Sequence, residues 1–413
     1  MNNEPQLFIN FFDTLVVGMN QILYVGETQH VFGDTGKCDF SCGTAAGTAL
    51  LPLLPADTVG GAILVGSSSL TVGAGASSLI CTATLTSSLP SLTIIGNVHL
   101  DDGITTSTPA FLWTYAGGMT YLPFPWGEDN VSTGYARGIS SDGTKIAGDA
   151  DYNPTTGYPR GIYWTNSGVT AQDIGTLGGT STYVSALSSD GGTVVGSSDT
   201  GSTSHAMYWS VSGGMVDIND LGGPSSADAV SSDGSVIAGY TFVGAVQHAF
   251  RWTSGGGMVD LGTYYVGGHT YITGMSADGS ILVGYGQNPA VLTETTAFYW
   301  TSGTGMVGIT MPLGATAMTA RAVSSDGTTI VGGYNDTDTH AYRWTVGDGV
   351  VGLSGDPSQA LAISADGTTY VGTATNVDAE NLAFPFYWTS DLGKVFLTAL
   401  NVVSGTALGV LTI

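Results

Sequence analysis

Apolar residues along this chain come in short runs closed by glycine, and the runs recur. Seven times between residues 94 and 388 an apolar pair ends in glycine, a polar stretch follows, and an aromatic or aliphatic residue stands two places before a tryptophan. The glycines are Gly96, Gly148, Gly196, Gly239, Gly284, Gly332 and Gly372; the tryptophans are Trp113, Trp164, Trp209, Trp252, Trp300, Trp344 and Trp388, and Trp126 stands outside the series. Successive glycines are 40 to 52 residues apart, the length of a supersecondary module that stacks on its neighbours and does not fold alone.

Each unit divides into four extended pieces. In the sixth, a first strand around 322–324 ends in Ser325-Asp326-Gly327, where glycine can take positive φ and aspartate can bond the following amide. A β-branched second strand at 329–332, a variable polar loop, a third strand at 341–344, a glycine turn and a fourth strand at 350–353 complete it. Equivalent turns carry Asp142, Asp190, Asp233, Asp278, Asp326 and Asp366, whereas the first unit has lost the motif around Pro90 and the second has the loosest fourth strand.

On each third strand the tryptophan and the residue two before it share one face, which is apolar in every unit. The position between them holds Leu112, Tyr163, Tyr208, Arg251, Tyr299, Arg343 or Tyr387, side chains long enough to cover apolar surface while sending a polar tip outward. A small sheet covered on both faces implies radial packing, so the pattern predicts an all-β, seven-bladed β-propeller at 81–400. A small β-rich N-terminal attachment domain at 1–80 precedes it, and a tail strand at 401–413 follows. Ring closure would bring the strands at 82–96 beside those at 384–397; a linearly stacked β-solenoid is the rival.

Composition narrows the partners. Only 10% of residues are charged and 63 are glycine, while 42% are hydrophobic, which suits a folded β protein with a large core. A net charge of −24 repels nucleic acid and anionic lipid alike. The first thirty residues lack the pattern of a secretory signal, and Pro52, Pro55 and Asp57 interrupt the least charged stretch, so no membrane insertion is expected.

Candidate chemistry is sparse. An odd cysteine count makes Cys38, Cys42 and Cys81 candidates for an intermolecular disulfide, with a local bridge or free thiols as the plainer readings. The six turn aspartates are expected to shape their turns. His205, His248 and His340 begin third strands where other units place Pro109, Arg160, Thr296 or Pro385, which favours packing or edge hydrogen bonds over a ring of metal ligands. No catalytic, cofactor-binding or metal residue is assigned and no cofactor is expected; calcium would have to use Asp149 with Asp151, Asp336 with Asp338, or Asp378 with Glu380. Serines occur in repeated turns without a recognisable triad, so the chain is expected not to be an enzyme. Paired carboxylates for glycan cleavage converge only in three dimensions, which keeps a polysaccharide depolymerase as the third reading.

His248-Ala249-Phe250-Arg251-Trp252, followed by Met258-Val259-Asp260-Leu261-Gly262, resembles the extracellular repeat family named after its His-Ala-Phe signature. The phrases starting at His205 and His340 repeat it, and Asp173-Ile174-Gly175-Thr176-Leu177-Gly178-Gly179 resembles the family's linking segment. The resemblance covers about residues 90–390 and implies bacterial or phage surface proteins with propeller-like repeats, with no shared catalytic residue. Combined with the missing export signal, it suggests a virion structural or appendage protein at a collar, tail or capsid. Such a protein would attach to other virion proteins through its N-terminal domain, in multiple copies, and present the propeller to a host-surface glycan or protein. A secreted or surface-attached bacterial adhesin is the alternative.

Overall fold

The units bearing the Asp-Gly turn each fold into a four-stranded antiparallel meander. The second sheet, in spatial order, is Gly134–Ile139, Ile146–Ala150, Arg160–Thr165 and Thr170–Asp173; the seventh is Ser358–Ile363, Thr369–Asn376, Leu382–Thr389 and Gly393–Phe396. This computed structural model describes residues 93–396 with short gaps, the longest at 151–156, and before them only eight strands of two or three residues. The first sheet has three described strands, Thr93–Asn97, Ala110–Thr114 and Gly118–Tyr121, instead of the expected four. Its expected first strand fails at Thr82, because Ile80–Thr82 pairs with Lys37–Asp39. The rest of the expected junction, at 83–92, lies outside the described residues, as does the tail at 401–413.

Seven sheets packed side by side form the β-propeller, and six apolar cores lie between them among the described residues. Each core joins one face of a sheet to the opposite face of the next. Val195, Ala206 and Ile218 of the third sheet, for example, meet Ala227, Ile237 and Phe250 of the fourth. The residue two before each tryptophan is fully buried in this role: Phe111, Ile162, Met207, Phe250, Phe298, Tyr342 and Phe386. The position between the two faces the following sheet, and three of its tyrosines lie against that sheet's tryptophan. Ring centroids are 5.0 Å apart for Tyr163–Trp209 and 5.3 Å for both Tyr208–Trp252 and Tyr299–Trp344. Burying aromatic rings on both faces of a thin sheet supplies the stability that one isolated sheet would lack.

The recurrent glycine has a steric cause. In sheets two to seven the first strand carries a β-bulge, so that two of its residues stand opposite one of the second strand. The residue just before the bulge pairs with the repeat glycine, as in Ala136↔Gly148, Ala227↔Gly239 and Ala320↔Gly332. A Cβ on any of the six glycines would collide with the carbonyl oxygen one residue earlier on the first strand: that of Tyr135, Tyr183, Ser226, Tyr271, Thr319 or Gln359. Bulges bend and twist the strand that bears them, and here the bend lays a backbone carbonyl against the neighbouring strand.

First strands of successive sheets pack against one another, which places them innermost around the axis. Among the described residues no helix is long and apolar enough to cross a membrane.

Gly239→Ala should therefore destabilise the propeller by about 1–3 kcal/mol, the usual cost of overpacking. Gly255→Ala, where an added Cβ meets nothing within 4 Å, should change stability by less than about 0.5 kcal/mol. Equilibrium unfolding in urea compares them, and equal losses would remove the carbonyl as the cause.

Candidate functional site

Two rings of polar side chains run through the repeat, one structural and one at the axis. The structural ring is the turn between first and second strands. Its hub is the buried serine two places before each aspartate: Ser140, Ser188, Ser231, Ser276, Ser324 and Ser364. In the fourth sheet Ser231 Oγ donates to Asp233 Oδ1 at 2.7 Å and accepts from the Val236 amide at 2.9 Å, while Asp233 Oδ1 accepts from the Ser235 amide at 2.9 Å. The amide bond to Ser235 and the Ser231 hydroxyl hold the Asp233 carboxyl down at about 2; the Ser140 hydroxyl and Thr144 amide do the same for Asp142. The turns of sheets two to six each also hand a backbone bond to the next sheet, from Ser141 N to Ser189 O at 2.8 Å through to Ser325 N to Ala365 O at 3.0 Å. The aspartates thus shape their turns, and the serine that anchors them is the member that sequence reasoning missed. Its signal was present, since Ser precedes every one of the six aspartates by two positions.

The third-strand histidines are held by carboxylates. His205 Nδ1 lies 2.7 Å from Asp217 Oδ2 and His248 Nδ1 lies 2.9 Å from Asp260 Oδ2, across the pairing of third and fourth strands. Arg160 reaches Asp173 at the same place, Nη2 to Oδ1 at 2.9 Å. The aspartates then cap the outgoing loop, Asp260 Oδ1 accepting from Gly262 N at 2.7 Å. His340 instead meets Asp336 at 3.0 Å, because its own fourth strand, Gly349–Gly352, holds no carboxylate.

The calcium candidates separate. Asp149 is not a solvated loop carboxylate: it is buried on a second strand, pairs with Arg137 Nε at 3.3 Å and accepts from the Val184 amide of the next sheet at 3.3 Å. Asp336 Oδ1 accepts from the Asp338 amide at 3.1 Å and faces His340, and these bonds keep its carboxyl below the ordinary range. Asp151, Asp378 and Glu380 lie outside the described residues. So does Cys42, while the register of the N-terminal strands sets Cys38 opposite Cys81.

The axial ring consists of the bulged residues themselves: Arg137, Ser185, Asp228, Thr273, Arg321 and Leu361 in sheets two to seven. All six are partly exposed although they sit on the innermost strands, so they open onto the axial space. Asp228 accepts from the Ser226 hydroxyl at 2.9 Å, and desolvation by the surrounding protein pushes its carboxyl up to about 7. Tyr240 lies near it; burial raises the Tyr240 phenol, and the Asp228 charge on one side and Tyr271 of the next sheet add to that. Tyr271 stacks on Tyr285 with centroids 4.7 Å apart. Thr273 Oγ1 donates to Ala320 O of the next sheet at 2.9 Å. Arg321 Nη2 and Nε reach the Gln359 amide oxygen at 3.2 and 3.3 Å when that amide is turned toward them. On the other side of the ring Arg137 lies 4.8 Å above the Tyr135 ring. Carboxyl, guanidinium and hydroxyl groups thus occupy equivalent backbone positions around one axis, with phenols on the neighbouring strand positions, a combination able to bind polar ligands and to exchange protons near neutrality.

The chain matches no known family model and no curated protein sequence. Its fold is similar to solved β-propellers. One is a prolyl endopeptidase, with a TM-score of 0.54 at 12% identity over 74% of this chain and 48% of that one. Another is prolyl oligopeptidase B from Galerina marginata, with 0.53 at 10% identity over 75% and 49%. The β-propeller domain of the Trilobed protease from Pyrococcus furiosus, described as having an open velcro topology, gives 0.52 at 11% identity over 75% and 95%. The chain spans about half the length of the two prolyl peptidases, and likeness at this identity shows the fold alone. It nonetheless overturns the expectation that the chain is not an enzyme. Propellers of this shape occur within peptidases, and the groups that perform chemistry converge in space, where the lack of a linear triad carries no weight.

The two kinds of aspartate give stability opposite pH dependences. The folded values of Asp142 and Asp233 lie below 3.8, so their contribution is present above that value and is lost as pH falls through about 2. The folded value of Asp228 lies above 3.8, so ionising it opposes folding as pH rises from about 4 through about 7. Asp228→Asn should accordingly be more stable than the natural chain at pH 8, by an amount on the order of a few kcal/mol, with the gain vanishing below about pH 4. Urea unfolding across this range checks it; a gain independent of pH would refute the desolvated carboxyl.

Proposed function

We propose that the chain is a ligand-binding β-propeller displayed on an extracellular assembly, a bacteriophage virion in the first instance, where it meets a glycan or protein of the host surface. The observation that carries this reading is the axial ring. Its backbone is repeated six times by bulge and glycine, while its side chains run Arg, Ser, Asp, Thr, Arg and Leu. A repeated scaffold with unlike side chains at one position is how a propeller builds a specific site from equivalent units. The net charge of −24 keeps crowded copies apart and turns nucleic acid away. The resemblance of the His248–Trp252 phrase to the extracellular His-Ala-Phe repeats supports a location outside the cell. Attachment to other virion proteins falls to the segment at 1–80, and Cys38, Cys42 and Cys81 are the candidates for crosslinks between copies.

Gold-labelled antibody against the propeller, applied to particles released from the source culture, tests the placement. Labelled virions are expected. Label confined to cell surfaces would replace the virion with the bacterial adhesin, and label in neither place would overturn display altogether.

A further inference from the structure

The axial ring is lopsided, and its asymmetry points to a class of ligand. The chain has five arginines against 32 acidic residues, and two of the five occupy bulge positions on innermost strands. Arg137 is engaged by the buried Asp149. Arg321 has no carboxylate partner among the described residues; its one hydrogen-bond partner there is the neutral amide of Gln359, and its charge lies near the Tyr285 and Tyr342 phenols. Two sheets away, at the equivalent position, Asp228 has no cationic partner among the described residues and is bonded only to the Ser226 hydroxyl. The fifth sheet between them contributes the Tyr271–Tyr285 stack, and the hydroxyl of its own bulge residue, Thr273, is spent on the Ala320 carbonyl. One side of the axis thus presents an unpaired guanidinium and an unpaired carboxyl on the innermost strands of sheets six and four, with the Tyr271–Tyr285 stack on the first and second strands of the sheet between them and Tyr285 within reach of the Arg321 charge.

We propose that the axial space beside sheets four to six binds a carboxylate-bearing sugar, a hexuronate unit of a surface glycan: Arg321 pairs with its carboxylate, the Tyr271–Tyr285 pair lies along its ring, and Asp228 bonds its hydroxyls. The assignment rests on the surface-binding role proposed above and names the ligand for it. A planar guanidinium matches a carboxylate with two parallel bonds, and tyrosines offer a flat apolar body with a polar tip. A simple inorganic anion would use Arg321 alone and be repelled by an ionised Asp228. A neutral sugar would leave the guanidinium uncompensated. A zwitterionic peptide end suits the site less well, because a carboxyl whose burial favours its protonated form exchanges hydrogen bonds with hydroxyls more readily than it pairs with an ammonium.

Calorimetric titration of the full chain at pH 7 with a glucuronate disaccharide, its glucose counterpart, acetate and glycylglycine tests this. The glucuronate disaccharide should bind at least about tenfold more tightly than the other three, the scale of one charge-assisted contact. Arg321→Ala should lose about tenfold or more, Arg321→Lys should recover part of it, and circular dichroism melts should show both variants folded. Equal binding of acetate, preference for glycylglycine, or unchanged affinity in Arg321→Ala would each overturn the assignment, as would no binding at all. Binding of the natural chain and Arg321→Ala to intact bacteria of the source culture separates the two proposals. Equal binding by both keeps surface display and removes the axial sugar site. Uronate binding that depends on Arg321, without any binding to cells, keeps the sugar site and removes display.

Discussion

Close approach of two backbones at the first-strand bulge is the constraint on which the rest of this propeller depends. An extra residue in the first strand swings a carbonyl over the second strand, and only glycine leaves room for it. The same extra residue is displaced from the regular alternation of the sheet and opens toward the axis. One local distortion therefore decides both a repeated glycine and a variable axial side chain. The six cores between sheets can then be filled by apolar residues on either side, because the bulge leaves the flanking alternation intact.

Cohesion between sheets comes from two kinds of contact at different radii. Apolar packing in the body of each sheet joins faces of neighbours, with the third-strand tyrosines of one sheet against the tryptophan of the next. Nearer the axis, the Ser and Asp of each turn satisfy their own backbone amides and leave one further amide to bond the adjoining turn. Burying those serines without their bonds would cost more than their burial returns. The outer edge is tied by the histidine–aspartate and arginine–aspartate pairs between third and fourth strands. These are partly exposed and matter more for fixing the loop that leaves each sheet than for stability.

The proposed binding role follows from what this rigidity permits. Equivalent positions around an axis can carry unlike groups at little cost to the fold, since the bulge residues stand outside the apolar cores between sheets. Asp228 and Arg321 are both poorly compensated where they stand, and sites that retain such groups in an otherwise consistent structure are commonly the ones that bind or react. The similarity to peptidase propellers belongs to the scaffold, and a binding role has to be argued from side chains such as these.

Much of the architecture is written in the order of residues. Strand periodicity, the spacing of glycine and tryptophan, and the Asp-Gly turns all report local geometry, which neighbouring residues determine, so the seven-unit count and the meander within each unit are legible there. The structure differs at the first sheet, where Thr82 pairs elsewhere, and at Asp149, which a strand carries inward to Arg137 instead of leaving it in a loop. It also supplies what the linear pattern holds without explaining: the serine under each turn, the aspartates opposite His205 and His248, and above all the bulge. Arg137, Asp228 and Arg321 are separated by 91 and 93 positions along the chain, and nothing local marks them as companions. The chain's own pattern determined the sheets, since backbone pairing is set by neighbours in sequence; the axial site was decided only when the sheets assembled, because proximity across an axis is a property of the whole array.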